Sequence, residues 1–149
     1  MDLRTVINAT SDAWLSIAAV KRQKMQIPDM PFPLTVEGDA DRLAQVLTNV
    51  VTNASKFTTE GGSIDIRTHV EDRSVRIEIE DSGIGIDPLM LESIFHLYSQ
   101  EFSNFNRTSG LGIGLALARR ILELHDGTIT AHSSGRGLGA RFEITLPRH

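Results

Sequence analysis

Asn49, Asn53 and Lys56 recur at i, i+4 and i+7 in the stretch QVLTNVVTNASKF, residues 45–57. On a helix they share one stripe. Asparagine is a mediocre helix former, because its amide competes for nearby backbone groups. A merely solvated helix face would favour Glu, Lys or Gln. The amide oxygen of an asparagine at a cleft edge can ligate Mg²⁺, a hard cation that takes oxygen donors. A lysine one turn further on can meet a phosphate as a point charge.

Two glycine-rich stretches could complete such a site. DSGIGI, residues 81–86, places a carboxylate, Asp81, before two alternating glycines, Gly83 and Gly85. A carboxylate there can accept a hydrogen bond from an amino group such as that of adenine. The glycines let backbone approach a ligand closely. A dinucleotide-binding fingerprint does not fit, since no third glycine stands at its spacing and the preceding strand belongs to a hairpin. SGLGIGLALARRI, from Ser109, runs Gly110, Gly112 and Gly114 straight into a helix. Backbone N–H groups at such a start can face anionic oxygens. No GK[ST] follows, so this is not a Walker loop, and neither HRD nor DFG occurs.

These residues need a scaffold, and the flanking pattern supplies one. Leu43, Val46, Leu47, Val50, Val51 and Ala54 form the apolar stripe of a helix capped by Asp39 and running to about Ser55. The asparagine stripe lies roughly 120° round from it, bordering the buried face. SIDIRTHV and SVRIEIED alternate and predict an antiparallel hairpin. Residues 2–24 predict a helix with Val6, Ile7, Ala13, Trp14, Ile17 and Val20 on one side. Short strands are expected at Met25–Ile27 and Leu34–Glu37, and a short helix from Pro88 to Ile94. A polar, aperiodic loop follows, then a helix from Leu111 to His125. Strands in GTITAHSS and ARFEITLP flank a GRGLG turn. The sum is a two-layer α/β sandwich, a mixed and mostly antiparallel sheet with helices on one face.

The 149 residues suffice for one domain, and 40% hydrophobic with 23% charged residues is globular composition. A net charge of −4 gives no footprint for nucleic acid or an anionic membrane. The absence of cysteine excludes disulfides and thiolate metal sites. No apolar run is long enough to cross a bilayer, and the N-terminus lacks a signal-peptide pattern.

Taken together, the stretches resemble the catalytic and ATP-binding domain of sensor histidine kinases, within the superfamily of gyrase-type, chaperone-type, histidine-kinase and mismatch-repair ATPases. QVLTNVVTNASKF matches the family's N box, DSGIGI its G1 box and IFHLYSQ its F box. GLGIGLALARRILELHDG matches the G2 box, and GARFEITLP the closing strand. The resemblance covers essentially residues 2–147.

It implies the following roles. Asn53 ligates Mg²⁺ beside the ATP phosphates, supported by Asn49. Lys56 contacts phosphate, and Phe57 lines the nucleotide pocket. Asp81 reads the adenine amino group, with Gly83, Gly85 and Ile86 forming that wall. Gly110, Leu111, Gly112, Ile113, Gly114 and Leu115 present backbone to the phosphates. Ser99–Ser109 is the ATP lid, and Arg107 stabilises the transferred phosphoryl group. Hydrolysing members of the superfamily carry Glu where this chain has Asn49. An amide cannot act as general base for water, so the resemblance implies phosphoryl transfer to a histidine.

The five histidines here, His69, His96, His125, His132 and His149, lack the family's acceptor context. The implied acceptor is a histidine-bearing dimerisation domain outside this chain, with a response regulator downstream. The isolated domain is then expected to be a cytoplasmic monomer, inactive in autophosphorylation, taken from a homodimeric parent, either membrane-tethered or free. Alternatives are a stand-alone serine kinase of the anti-sigma-factor type and a nucleotide-binding module without transfer. Asp126 departs from the pattern at a turn where the family often has glycine. Ser109 departs likewise before the G2 box.

Overall fold

A computed structural model describes residues 1–30, 32–96 and 113–148. Five strands form one sheet: β1 (Lys24–Gln26), β2 (Ser63–Val70), β3 (Ser74–Asp81), β4 (Thr128–His132) and β5 (Ala140–Pro147). Their spatial order is β1-β2-β3-β5-β4. The β1–β2 pair is parallel and the other three pairs are antiparallel. Among the described residues three α-helices accompany the sheet: α1 (Leu3–Val20), α2 (Ala40–Lys56) and α3 (Ile113–Leu124).

Alternation decides the two faces of the sheet. Ile66 pairs with Ile79, and Ile79 with Phe142. Ile77 pairs with Ile144, and Ile144 with Ile129. These side chains are buried in one core together with Leu43, Val46, Leu47, Val50 and Val51 of α2 and Leu115, Ala118 and Leu122 of α3. The opposite face is polar and cross-linked: Glu78 meets Arg67 at 3.7 Å, His69 at 3.3 Å and Arg76 at 3.3 Å. The helices therefore lie on one side, and the two-layer sandwich expected from the sequence is the fold.

Helix α2 begins as its cap predicts, with Asp39 Oδ1 accepting from the Arg42 N–H at 3.1 Å. Its start is tied to the end of α3, because Asp39 N–H donates to His125 Nε2 at 3.1 Å. The other ring nitrogen lies 2.8 Å from the Ile121 carbonyl oxygen, so Nδ1 carries the proton and donates. His125 is thereby a structural link between two helices.

Some boundaries differ from the sequence reading. Leu34–Glu37 makes no strand; Thr35 and Val36 form single bridges to Asp2 and Arg148. Its backbone groups are spent singly instead: Leu34 N–H goes to the Asp2 side chain and Val36 N–H to the Met1 carbonyl. Pro88–Ile94 is not one helix but two short 3₁₀ turns, Pro88–Met90 and Ser93–Phe95. The second is pinned to α3: the Arg119 guanidinium sits 5.5 Å over the Phe95 ring and 2.6 Å from Glu92. In α1, Leu3, Ile7, Trp14 and Ala18 are buried, whereas Val20 is 84% exposed. Val20 lies about 200° round from Ala18, off the line that meets α2. Asp126 takes φ 56°, the left-handed conformation that explains why glycine suits this turn.

Candidate functional site

The asparagine stripe emerges at the edge of the core, where the 3.6-residue period places it. Asn49 and Asn53 are half-buried and Lys56 is exposed. Asn49 reaches the first turn of α3, where its Nδ2 donates weakly to the Gly114 carbonyl oxygen at 3.4 Å. A Cβ on Gly114 would stand 3.8 Å from the Asn49 side chain, an ordinary contact. Glycine therefore relieves no clash here; it leaves the amide face uncovered. The Asn53 Nδ2 is buried without a hydrogen-bond partner among the described residues, a costly state for a polar group unless a ligand completes it. Partial desolvation lowers the Lys56 ammonium from its usual range, although the residue as a whole is exposed.

Asp81 ends β3, only 7% exposed. Burial pushes its carboxyl up to about 6, against the N–H groups of Gly83 and Ala140, which pull it down. The Gly83 N–H donates to Asp81 Oδ1 at 2.8 Å. The chain then crosses the end of α2: Ile84 N–H donates to the Phe57 carbonyl oxygen at 2.9 Å. A Cβ on Gly83 would lie 2.1 Å from that same oxygen, so backbone must pack directly on backbone. Gly85, at φ 73°, is as crowded, with the Gly135 carbonyl oxygen 2.0 Å from its would-be Cβ.

That last contact belongs to a feature the sequence reading treated as a plain turn. Residues 133–139 clasp the Gly83–Ile86 turn from the side opposite α2. Gly137 N–H donates to the Ile84 carbonyl at 2.6 Å, and Gly139 N–H to that of Gly83 at 3.1 Å. Ser133 Oγ accepts from Ile86 N–H at 3.0 Å and donates to the Gly139 carbonyl at 2.7 Å. The signal was present: Gly135, Gly137 and Gly139 alternate as Gly83 and Gly85 do.

The structure thus brings together Asn49 and Gly114, and separately Phe57, Asp81, Gly83 and Gly85, with α2 joining the two groups. The Leu115 side chain is 1% exposed in the core, so it can offer a ligand nothing but backbone; Ile86 is likewise buried. Arg107, Gly110, Leu111, Gly112 and the Ser99–Ser109 segment lie outside the described residues, as does the Ile113 side chain. No group of three or more His, Asp or Glu side chains that could hold a metal occurs among the described residues. Nor is any described helix long and apolar enough to cross a membrane.

A helix stripe of amides and a glycine-opened turn after a strand thus share one α/β sandwich. The family described as histidine kinase-, DNA gyrase B-, and HSP90-like ATPase matches residues 38–149, and the chain belongs to it. The chain is 33% identical over 150 residues to the signal transduction histidine-protein kinase BaeS of Escherichia coli, covering 99% of this chain and 32% of that protein. It is 37% identical over 147 residues to the adaptive-response sensory kinase SasA of Synechococcus elongatus, covering 97% and 36%. The chain therefore spans about a third of the length of these relatives. Among solved structures, the nucleotide-free catalytic domain of histidine kinase ThkA superposes with a TM-score of 0.80 at 26% identity, covering 98% of this chain and 94% of that one. Full-length ShkA in complex with AMPPNP gives 0.82 at 27% identity, covering 99% and 30%.

Proposed function

We propose that this chain is the ATP-binding catalytic module of a two-component sensor histidine kinase. It would present the γ-phosphoryl group of ATP to a histidine on a dimerisation domain outside the chain, with a response regulator downstream. The observation that carries the reading is the Asn53 amide, buried without a partner among the described residues on the stripe it shares with Asn49 and Lys56. The complex of ShkA with AMPPNP supports a nucleotide on this fold.

In this reading the Asp81 carboxylate accepts from the adenine amino group, and Gly83 and Gly85 bring backbone to the ring. Phe57 lines the purine side, and the Lys56 ammonium faces phosphate. The first turn of α3, with Gly114, points N–H groups at the phosphates. Asn53 also fits a divalent cation. Its amide can be reversed without changing shape, which turns a carbonyl oxygen, a donor suited to Mg²⁺, toward the unpartnered position. Bound there, Mg²⁺ would supply neutralisation of phosphate charge. Arg107 is assigned to the charge on the transferred group. Asn49 cannot take a proton from water, so the nucleophile is a neutral imidazole, which bonds to the γ-phosphorus as ADP leaves. A site that consumes ATP belongs on the cytoplasmic side of any membrane.

Calorimetric titration should show ATP binding that weakens when Mg²⁺ is chelated. Radiolabelled ATP should leave this chain unlabelled alone and give acid-labile phosphate on an added histidine-bearing dimerisation domain. Stoichiometric acid-labile phosphate on the isolated chain would overturn the reading. Acid-stable phosphate on a separate protein would replace it with a serine kinase.

A further inference from the structure

The last turn of α2, which carries Lys56 and leads into Phe57, is held from outside by the turn that ends α1. That turn closes by a Schellman pattern: Gln23 N–H donates to the Ala18 carbonyl at 3.0 Å and Arg22 N–H to that of Ala19 at 3.1 Å. Arg22 sits at φ 52° in the glycine-favouring position. The next residue in such a motif usually makes an apolar contact. Here it is Gln23, polar yet only 8% exposed.

Every polar atom of the Gln23 amide is directed at the end of α2. Its Nε2 donates to the carbonyls of Ser55 and Thr58, each at 2.9 Å, and its Oε1 accepts from Ser55 Oγ at 2.6 Å. Lys21 Nζ donates to the carbonyls of Ser55 at 2.9 Å and Lys56 at 3.2 Å. The remaining carbonyls find donors nearby: Asn53 from Phe57 N–H, Ala54 from Thr58 Oγ1, and Phe57 from Ile84 N–H. All carbonyls from Asn53 to Thr58 are thus engaged, at a helix end where they are ordinarily left to water and the last turn frays. Lys21 also places a cation at the negative end of the helix dipole. Lys21, Lys56 and Phe57 line one cleft of about 480 Å³.

We infer that Lys21 and Gln23 are positioning residues for the nucleotide, holding the last turn of α2 so that Lys56 meets the phosphates and Phe57 the purine. The inference rests on the proposed function. It assigns to α1 a part in ATP binding, although neither residue lies in a stretch that marks the site.

The test compares Mg²⁺–ATP affinity by calorimetry for Lys21→Met, Gln23→Leu, Lys56→Ala and the double variant Lys21→Met/Lys56→Ala, below each variant's unfolding temperature. Lys21→Met and Gln23→Leu should each lose about tenfold in affinity, the scale of removing supporting partners at a metal site. Lys21→Arg should restore most of it. Since Lys21 acts in part through Lys56, the double variant should lose less than the sum of the two single losses; a purely structural role would give additive losses. Unchanged affinity in Lys21→Met, or additivity with Lys56→Ala, overturns the inference while the proposed function stands. Should the unaltered chain bind no ATP, the proposed function itself is lost, and this inference with it.

Discussion

Gly83 packs so tightly on Phe57 that a single methyl at Gly83 would stand 2.1 Å from the Phe57 carbonyl oxygen. The same oxygen accepts the Ile84 N–H at 2.9 Å, so the turn after β3 and the end of α2 are joined backbone to backbone. Gly83→Ala must push them apart. We expect a loss of about 1–3 kcal/mol in urea unfolding and weaker ATP binding in calorimetry, since Phe57 and Asp81 flank the displaced turn. An alanine variant equal to the unaltered chain in both would show that the contact can relax.

Asp81 sets stability against the role proposed for it. Its carboxyl is raised from 3.8 to about 6 by burial. The folded chain therefore holds a proton between those values that the unfolded chain releases. The contribution to stability is full below about pH 4 and is lost as pH rises through about 6. At neutral pH the ionised group costs the fold about 3 kcal/mol, to order of magnitude. Asp81→Asn keeps the acceptor for Gly83 N–H and removes the charge. Thermal unfolding from pH 4 to 7 should show the variant gaining on the unaltered chain as pH rises, by up to that amount. Parallel curves would refute the assignment.

The adenine role proposed for Asp81 has its own pH signature. An amino-group donor favours the carboxylate over the acid, so ATP affinity should fall as pH drops below about 6. Asp81→Asn should bind no ATP at any pH. Retained binding would place the purine elsewhere.

Asn53 offers the cleanest separation of folding from ligand. Its buried Nδ2 makes no hydrogen bond among the described residues, so Asn53→Ala forfeits little and should leave the unfolding midpoint nearly unchanged. ATP binding should lose its Mg²⁺ dependence, so that chelation no longer weakens what affinity remains. A large loss of stability would mean that the amide has a structural partner after all.

Ser133 tests the clasp. Its hydroxyl serves Ile86 N–H at 3.0 Å, Gly135 N–H at 3.2 Å and the Gly139 carbonyl at 2.7 Å. Ser133→Ala leaves these groups to find other partners, at a cost of about 1–3 kcal/mol. Amide exchange at Ile84 and Ile86 should quicken before that of β3. Unaltered exchange would show that the glycine backbone contacts suffice by themselves.

Much of the fold was written in local pattern. The alternation of residues 63–70 and 74–81 marked both strands of the hairpin to the residue. The apolar stripe of α2 named six positions, Leu43, Val46, Leu47, Val50, Val51 and Ala54, and all six are buried. The same period set Asn49 and Asn53 at the margin of the core. Such patterns are readable because helix and strand geometry make facing direction a function of position alone.

Other features had no local signature. Whether Leu34–Glu37 would pair along its length or at single points depended on which neighbour offered free backbone groups. The clasp of the Gly83–Ile86 turn joins residues 47 positions apart at Ile86 and Ser133. The grip of Gln23 on Ser55 and Thr58 spans 32 and 35. Residue types and periods determined the helices, the hairpin and the candidate stripe, since neighbours in the chain decide burial and capping. Which carbonyl meets which donor across the molecule was decided by tertiary packing alone, because a buried polar group is satisfied by whatever the fold brings near it.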